Sequence, residues 1–174
     1  QAMTDLLTIR ETFGHLKDLH LVFVGDGNNV SMSLAIASAM TGMRMTLAAP
    51  KGFEFDAGFM KLLAEKFPVH RVTQSNDPKF AVKSADLVYT DVWASMGQED
   101  DAERRKNAFA SFQVNEALMA AAPKSAKFMH DLPAKRGLEV TDGVMDGEQS
   151  IVFQQAENRM HLAKGLFVWL LENK

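Results

Sequence analysis

With 174 residues, 47% of them hydrophobic, the chain is long enough to bury one core of ordinary size and short for two. A net charge of -3 and a pI near 6.0, with basic residues scattered apart from Arg104-Arg105-Lys106, argue against a nucleic-acid or anionic-membrane surface as the main partner. No apolar run approaches the roughly 18–20 residues that span a bilayer, and the lack of cysteine removes disulfide frameworks and thiolate metal sites, which fits a cytoplasmic protein.

The chain opens on Gln1-Ala-Met-Thr-Asp-Leu-Leu-Thr-Ile-Arg-Glu-Thr-Phe13, which enters a helical pattern at once, with Met3, Leu6, Leu7 and Phe13 able to share a face. No basic lead segment or initiator methionine precedes it, so the start reads as a cut through a longer protein. Leu19–Val24 predicts a strand, Gly25-Asp-Gly-Asn-Asn29 a tight turn, and Val30–Met40 a helix that Gly42 ends in a left-handed conformation. Met43–Ala49 is the next strand, stopped by Pro50-Lys-Gly52. Asp56–Phe67 predicts a helix, Val69–Thr73 a strand, Asp77–Ser84 a short helix and Asp86–Thr90 a fourth strand. In Gln98–Ala110 the acids Glu99, Asp100, Asp101 and Glu103 precede the bases Arg104, Arg105 and Lys106, the order that suits a helix dipole. Val114–Ala122 is a further helix, and Ala126–Met129 a fifth strand running into His130. The last helix, about Gln154–Glu172, carries Ala156, Met160, Ala163, Phe167 and Leu170 at alternating spacings of four and three. Strands alternating with helices imply a doubly wound parallel sheet, a three-layer α/β/α Rossmann-like fold over residues 1–174. Ligands of such sheets sit beyond the carboxyl ends of the strands.

Three segments carry chemistry at such ends. Gly25-Asp-Gly-Asn-Asn29 can offer backbone amides to an anion, or can be a turn whose Asn28 and Asn29 cap the helix. It lacks the third glycine of a dinucleotide fingerprint, and no acid ends the second strand. Asp91-Val-Trp-Ala-Ser-Met-Gly97 puts a carboxylate just past a buried strand, ready for an ammonium group or for capping the next helix. Ser95 can add a hydroxyl, and Met96 an apolar wall. His130-Asp-Leu-Pro133 ends the fifth strand, where the histidine either serves a ligand or satisfies a backbone partner. Pro133 restricts Leu132 to an extended conformation and can hold a cis bond. Arg159, near the start of the last helix, is a planar donor for phosphate or carbonyl oxygen, or an exposed partner of Glu157. The remaining histidines show no metal-ligand spacing, and no metal site is proposed.

Asp91-x-x-x-Ser-Met-Gly97 and His130-Asp-Leu-Pro133, together with Val24-Gly-Asp-Gly-Asn-Asn29, Pro50-Lys-Gly52, Val140-Thr-Asp142 and Ala156-Glu-Asn-Arg159, resemble the amino-acid-binding half of the ornithine carbamoyltransferase family. The likeness runs from Asp5-Leu-Leu-Thr-Ile-Arg-Glu to Trp169-Leu-Leu, and Gln1 looks like the last residue of the family's His-Pro-x-Gln motif. It implies transfer of a carbamoyl group from carbamoyl phosphate to the side-chain amine of L-ornithine, giving L-citrulline and phosphate in arginine biosynthesis, with no cofactor. It further implies that Asn29, Asp91, Ser95 and Met96 hold the backbone end of ornithine, that His130 and Arg159 face carbamoyl phosphate, and that the Leu132 carbonyl orients the attacking amine. Two departures stand out. The Ser-x-Arg-Thr-Arg phosphate-binding segment of the family's N-terminal carbamoyl-phosphate domain is absent from these residues, so this chain alone is expected to be inactive. Asp131 stands where the family's His-Cys-Leu-Pro motif has cysteine, which leaves open a proton-accepting role in catalysis, a different amine substrate, or a non-catalytic amino-acid-binding or scaffold domain. The family is homotrimeric largely through the other domain, so the resemblance sets no oligomeric state for this chain.

Overall fold

The computed structural model describes residues 1–94 and 101–173. Helix α1 (Ala2–Phe13) leads into β1 (His20–Val24), after which helices and strands alternate as α2 (Asn29–Thr41), β2 (Arg44–Ala48), α3 (Ala57–Lys66), β3 (Arg71–Ser75), α4 (Pro78–Ala81) and β4 (Leu87–Thr90). Then follow α5 (Ala102–Phe109), α6 (Glu116–Ala121), β5 (Lys127–His130), α7 (Asp142–Met145) and α8 (Val152–Glu172). All four strand pairings are parallel, in the order β3-β2-β1-β4-β5. The chain therefore winds outward from β1 to β3, returns, and continues through β4 to β5, with its point of reversal between β1 and β4. Doubly wound sheets open their ligand crevice at that point.

The sheet is covered on both faces because its strands are apolar on both. Leu21, Phe23, Met45, Leu47, Leu87, Tyr89 and Met129 bury into one core with Ile9 of α1, Leu34 of α2 and Leu63 of α3. Their neighbours Val22, Val24, Ala48, Val88 and Phe128 bury into the other, with Phe109 of α5 and Leu118 of α6. Side chains alternate across a strand, so nearly continuous apolar runs can fill two layers at once. None of the described helices is long and apolar enough to cross a membrane.

Local signals set most boundaries. Asn28, Asp56, Asp77 and Asn115 each accept a backbone N–H at a helix start, and Gly42 ends α2 with φ 74°. The expected strand Val69–Thr73 lies two residues late, at Arg71–Ser75, because Phe67-Pro68-Val69 turns and leaves Val69 exposed. The expected Asp77–Ser84 helix divides into α4 and a 3-10 turn at Val82–Ser84. Helix α7 was not anticipated, since its four residues carry too little periodicity.

The terminal helices pack on each other through polar residues. The apolar stripe of α8 does not face the core: Met160, Phe167 and Leu170 are exposed, as are Phe153, Trp169 and Leu171. The buried side of α8 is instead Val152, Gln155 and Asn158, packed on α1 through Thr4, Asp5, Thr8 and Ile9. Asn158 Nδ2 donates to Thr8 Oγ1 at 3.0 Å and to Glu11 Oε2 at 2.7 Å. Gln155 Nε2 donates to Asp5 Oδ1 at 2.7 Å and to Tyr89 Oη at 3.1 Å. Buried polar groups persist where each finds a partner, so hydropathy periodicity points away from this interface.

Candidate functional site

Three chain segments meet at the carboxyl ends of β1, β4 and β5. The β4–β5 ladder runs to the pair Thr90 and His130, so Asp91 and Asp131 leave neighbouring strands, whose separation is about 4.8 Å. Thr90 Oγ1 donates to the Val24 carbonyl at 2.6 Å, tying the end of β4 to the end of β1. Asn28 then crosses the switch point: its Oδ1 accepts from Val30 N–H and Ser31 N–H, and its Nδ2 donates to Asp91 Oδ2 at 2.9 Å. Asp91 Oδ1 accepts its neighbour Val92 N–H at 2.6 Å. Asp91 is thus a buried carboxylate aimed by α2, an arrangement suited to holding a cation.

Two amides of the Gly25–Asn29 turn are spent on the protein. Gly25 N–H donates to Ala48 O and Gly27 N–H to Phe53 O, while the first free amides of α2 go to Asn28. A Cβ at Gly27 would lie 2.7 Å from Glu54 O, so glycine here admits the Pro50–Phe55 loop against the turn.

A cleft of about 600 Å3 opens beside Asp91, lined by Asn29, Val30, Asp131, Leu132, Pro133 and Lys135 among others. The other face of the Leu132–Ala134 turn walls a second hollow of about 440 Å3, which contains Arg159 with Arg136, Met145 and Phe153. Of the residues singled out from sequence, Asn29, Asp91, Asp131 and Leu132 share one cleft, and Arg159 stands across the turn from them. Arg159 is exposed, in the third turn of α8 rather than near its start, and among the described residues it forms no ion pair; Glu157 pairs with His161 instead. Ser95 and Met96 lie outside the described residues.

His130 lies beneath the cleft with a fully buried side chain. Its Nδ1 accepts Leu132 N–H at 2.9 Å, so the neutral ring carries its proton on Nε2, 3.3 Å from Glu139 Oε1. Glu139 Oε1 also accepts Lys135 N–H, and Gln155 Oε1 accepts His130 N–H at 3.0 Å. The ring therefore holds the turn that forms the cleft wall. Leu132 itself has φ 60° and precedes a cis peptide bond to Pro133. This corrects the expectation of an extended Leu132: the His130 Nδ1 bond curls the backbone into the left-handed region.

Two carboxyl groups here are pushed upward. Burial first, and the neighbouring Asp91 charge second, raise Asp131 to about 7. Burial against α8 raises Asp5 to about 6, although Gln1, Gln155 and Tyr89 donate to it. Both folded-state values exceed the ordinary carboxylate value of 3.8, so both acids stabilise the fold fully below about pH 4 and lose that contribution as pH rises through 6 and 7. The melting temperature is expected to fall between pH 5 and pH 8. Asp5→Asn should flatten that fall by about 1.4 kcal/mol, since a carboxyl titrating at about 6 loses about one unit of its shift across this window. A melting temperature constant over this range would contradict the assignment.

Sequence reasoning did not single out Arg105 as more than a helix-dipole base. It is buried on α5, where it pairs with Asp26, donates to Trp93 O, and lies 5.1 Å over Phe53 and 5.6 Å over Phe109. The Arg104-Arg105-Lys106 run hides it among solvated neighbours. Asn28 was read from sequence only as a helix cap, and Gln155 was missed, because only the fold brings them to Asp91 and His130.

Comparison with known proteins agrees with this architecture. The sequence profile of the family "Aspartate/ornithine carbamoyltransferase, Asp/Orn binding domain" matches residues 17–170. Among curated relatives, the ornithine carbamoyltransferase of Anoxybacillus flavithermus is 50% identical over 173 residues, which is 98% of this chain and 55% of that protein. The chloroplastic ornithine carbamoyltransferase of Pisum sativum is 47% identical over 171 residues, 98% of this chain and 45% of that protein. Among solved structures, ornithine carbamoyltransferase from Pyrococcus furiosus superposes with a TM-score of 0.87 at 46% identity, covering 95% of this chain and 54% of that one. The chain thus spans about half the length of the curated relatives it matches. It belongs to the aspartate/ornithine carbamoyltransferase family, as that family's Asp/Orn-binding domain.

Proposed function

We propose that the chain is the ornithine-binding half of an ornithine carbamoyltransferase, which moves the carbamoyl group of carbamoyl phosphate to the side-chain amine of L-ornithine. The products are L-citrulline and phosphate, and the setting is cytoplasmic arginine biosynthesis. The observation that carries this reading is Asp91: a buried carboxylate, fixed by Asn28, at the mouth of the crevice between β1 and β4. In the proposal Asp91 and Asn29 take the backbone end of the amino acid, together with Ser95 and Met96. The Leu132 carbonyl orients the amine. His130 acts by holding the Leu132 turn, and Arg159 faces carbamoyl phosphate from the adjoining hollow. Catalysis then rests on positioning two reactants and on polar groups aimed at the developing charge.

The reaction requires a second domain for carbamoyl phosphate, since these residues contain no Ser-x-Arg-Thr-Arg segment. The exposed apolar residues Phe167, Trp169 and Leu171 at the end of α8 support a partner surface of that kind. Joined to a carbamoyl-phosphate domain of the family, the chain should produce citrulline; transfer to no amino acid tested would sink the enzyme reading. A second reading, a non-catalytic amino-acid-binding module, is favoured by Asp131 in the cysteine's place. Asp131→Cys in the joined protein separates the two, because a large gain in rate would mean that Asp131 alone had silenced a competent site.

A further inference from the structure

Strand β5 is an edge of the sheet, so every second residue turns its backbone N–H and C=O away from β4. At Phe128 a short stretch of chain supplies the partners: the N–H donates to Gln149 O at 2.8 Å, and the C=O accepts Ile151 N–H at 3.0 Å. The chain then coils into α8, and the next outward amide, that of His130, has no strand beside it. Gln155, one turn into α8, reaches back in place of a strand, and its Oε1 accepts His130 N–H at 3.0 Å.

The rest of the Gln155 amide is equally committed. The residue is 1% exposed, and its Nε2 donates to Asp5 Oδ1 of α1 at 2.7 Å and to Tyr89 Oη of β4 at 3.1 Å. Tyr89 Oη in turn donates to Asp5 Oδ2 at 3.3 Å. The amide has one tolerable orientation, because a flip would set Nε2 against His130 N–H and Oε1 against the Asp5 carboxylate. One side chain thus ties His130, two residues before Leu132, to Tyr89, two residues before Asp91. His130 carries the link onward, since its ring accepts Leu132 N–H. Leu132 and Asp91 both line the cleft, and Gln155 does not.

We propose that, on the ornithine reading, Gln155 is a positioning residue: through Asp5 and His130 it fixes the Leu132 turn against Asp91 before the amino acid arrives. Without it, the His130 amide is a buried donor with no acceptor, and the ligand must order the cleft wall that it binds. A wall already in place spares that cost and binds more tightly.

The test is a calorimetric titration of L-ornithine into this chain at pH 7, above the Asp5 value of about 6. Each variant is first shown by thermal melting to be folded at the titration temperature. Gln155→Met removes both halves of the amide, whereas Gln155→Glu keeps the acceptor and sets a second carboxylate against Asp5. Each should weaken ornithine binding about tenfold, the worth of one buried hydrogen bond, and should shift the backbone amide NMR signals of His130 and Leu132. Adding Asp5→Asn to Gln155→Glu reverses the bond, with the amide now donating from α1 to α8, and should recover most of the lost affinity. Asn158→Ala is the control. It breaks the α8 bonds to Thr8 and Glu11 without touching β5, so it should lower the melting temperature and leave ornithine affinity in place.

Parental affinity in both Gln155 variants, or no recovery in the double variant, would overturn this inference and leave the amino-acid site standing. Equal weakening in Asn158→Ala would overturn it too, by tracing the effect to a loosened helix pair. Absence of ornithine binding in the parent chain would overturn the ornithine reading itself, and this inference with it.

Discussion

Replacing Asp91 by Ala is expected to weaken L-ornithine binding by on the order of 100-fold or more while leaving the fold intact. Losing one partner of a buried, hydrogen-bonded charge pair costs about 2–5 kcal/mol, and 2.7 kcal/mol corresponds to a factor of about 100. The fold should survive because Asp91 follows the last ladder pair of β4, and Asn28 keeps its capping bonds to Val30 and Ser31 without it. The substitution has a second readout that does not involve ligand. Asp91 supplies like-charge repulsion on Asp131, so in Asp91→Ala the Asp131 carboxyl should drop from about 7 toward the ordinary carboxylate range. Carboxyl-carbon NMR over a pH series measures this directly. An unchanged ornithine affinity, or an unmoved Asp131, would show that Asp91 does not face the cleft as described.

The second large effect is on stability. Arg105→Met is expected to cost about 3–5 kcal/mol, the penalty for breaking a buried ion pair from one side. That corresponds to a fall in melting temperature of roughly 6–20 °C for a chain of this size. Asp26 would be left as a nearly buried carboxylate with no counter-charge, and its Oδ1 already lacks a partner among the described residues. Arg105 also joins two walls of the cleft, because Asp26 precedes the Asn28 cap and Trp93 follows Asp91. Arg105→Met should therefore weaken ornithine binding beyond its effect on stability. Arg105→Lys keeps the charge but loses the planar fork that reaches Trp93 O and Asp26 together, and should recover only part. The double variant with Asp26→Asn should be more stable than Arg105→Met alone, since the orphaned charge is gone. Thermal melts of the four proteins decide it, and equal melting temperatures for Arg105→Met and the parent would contradict the buried pair.

Much of this architecture is legible in the amino-acid order. The β1–β2–β4–β5 strands are short, nearly continuous apolar runs closed by turn residues, and Gly42, Asp56 and Asp77 mark helix ends through local chemistry that needs no tertiary context. Asp91 could be singled out because it directly follows such a run, whereas Asp131 stood out only because it occupies the cysteine position of the motif that the chain resembles. What could not be read is what depends on two segments meeting. The polar faces of α1 and α8 look like solvent faces until Asp5, Thr8, Gln155 and Asn158 are seen to satisfy one another. Arg105 sits within a basic run whose period says surface, and only Asp26 and the Phe53 and Phe109 rings make its burial tolerable. His130 had two readings from sequence; in the fold its backbone-satisfying contact with Leu132 shapes the cleft wall.

The measurement that tests the central claim most directly is a calorimetric titration of L-ornithine into this chain, with L-aspartate as the control. Saturable binding of ornithine and none of aspartate is the predicted result, because the cleft presents Asp91 and Asp131 to a cation and would repel a second carboxylate. Aspartate binding as tightly as ornithine, or binding of neither, would contradict the assignment of this cleft as an ornithine site.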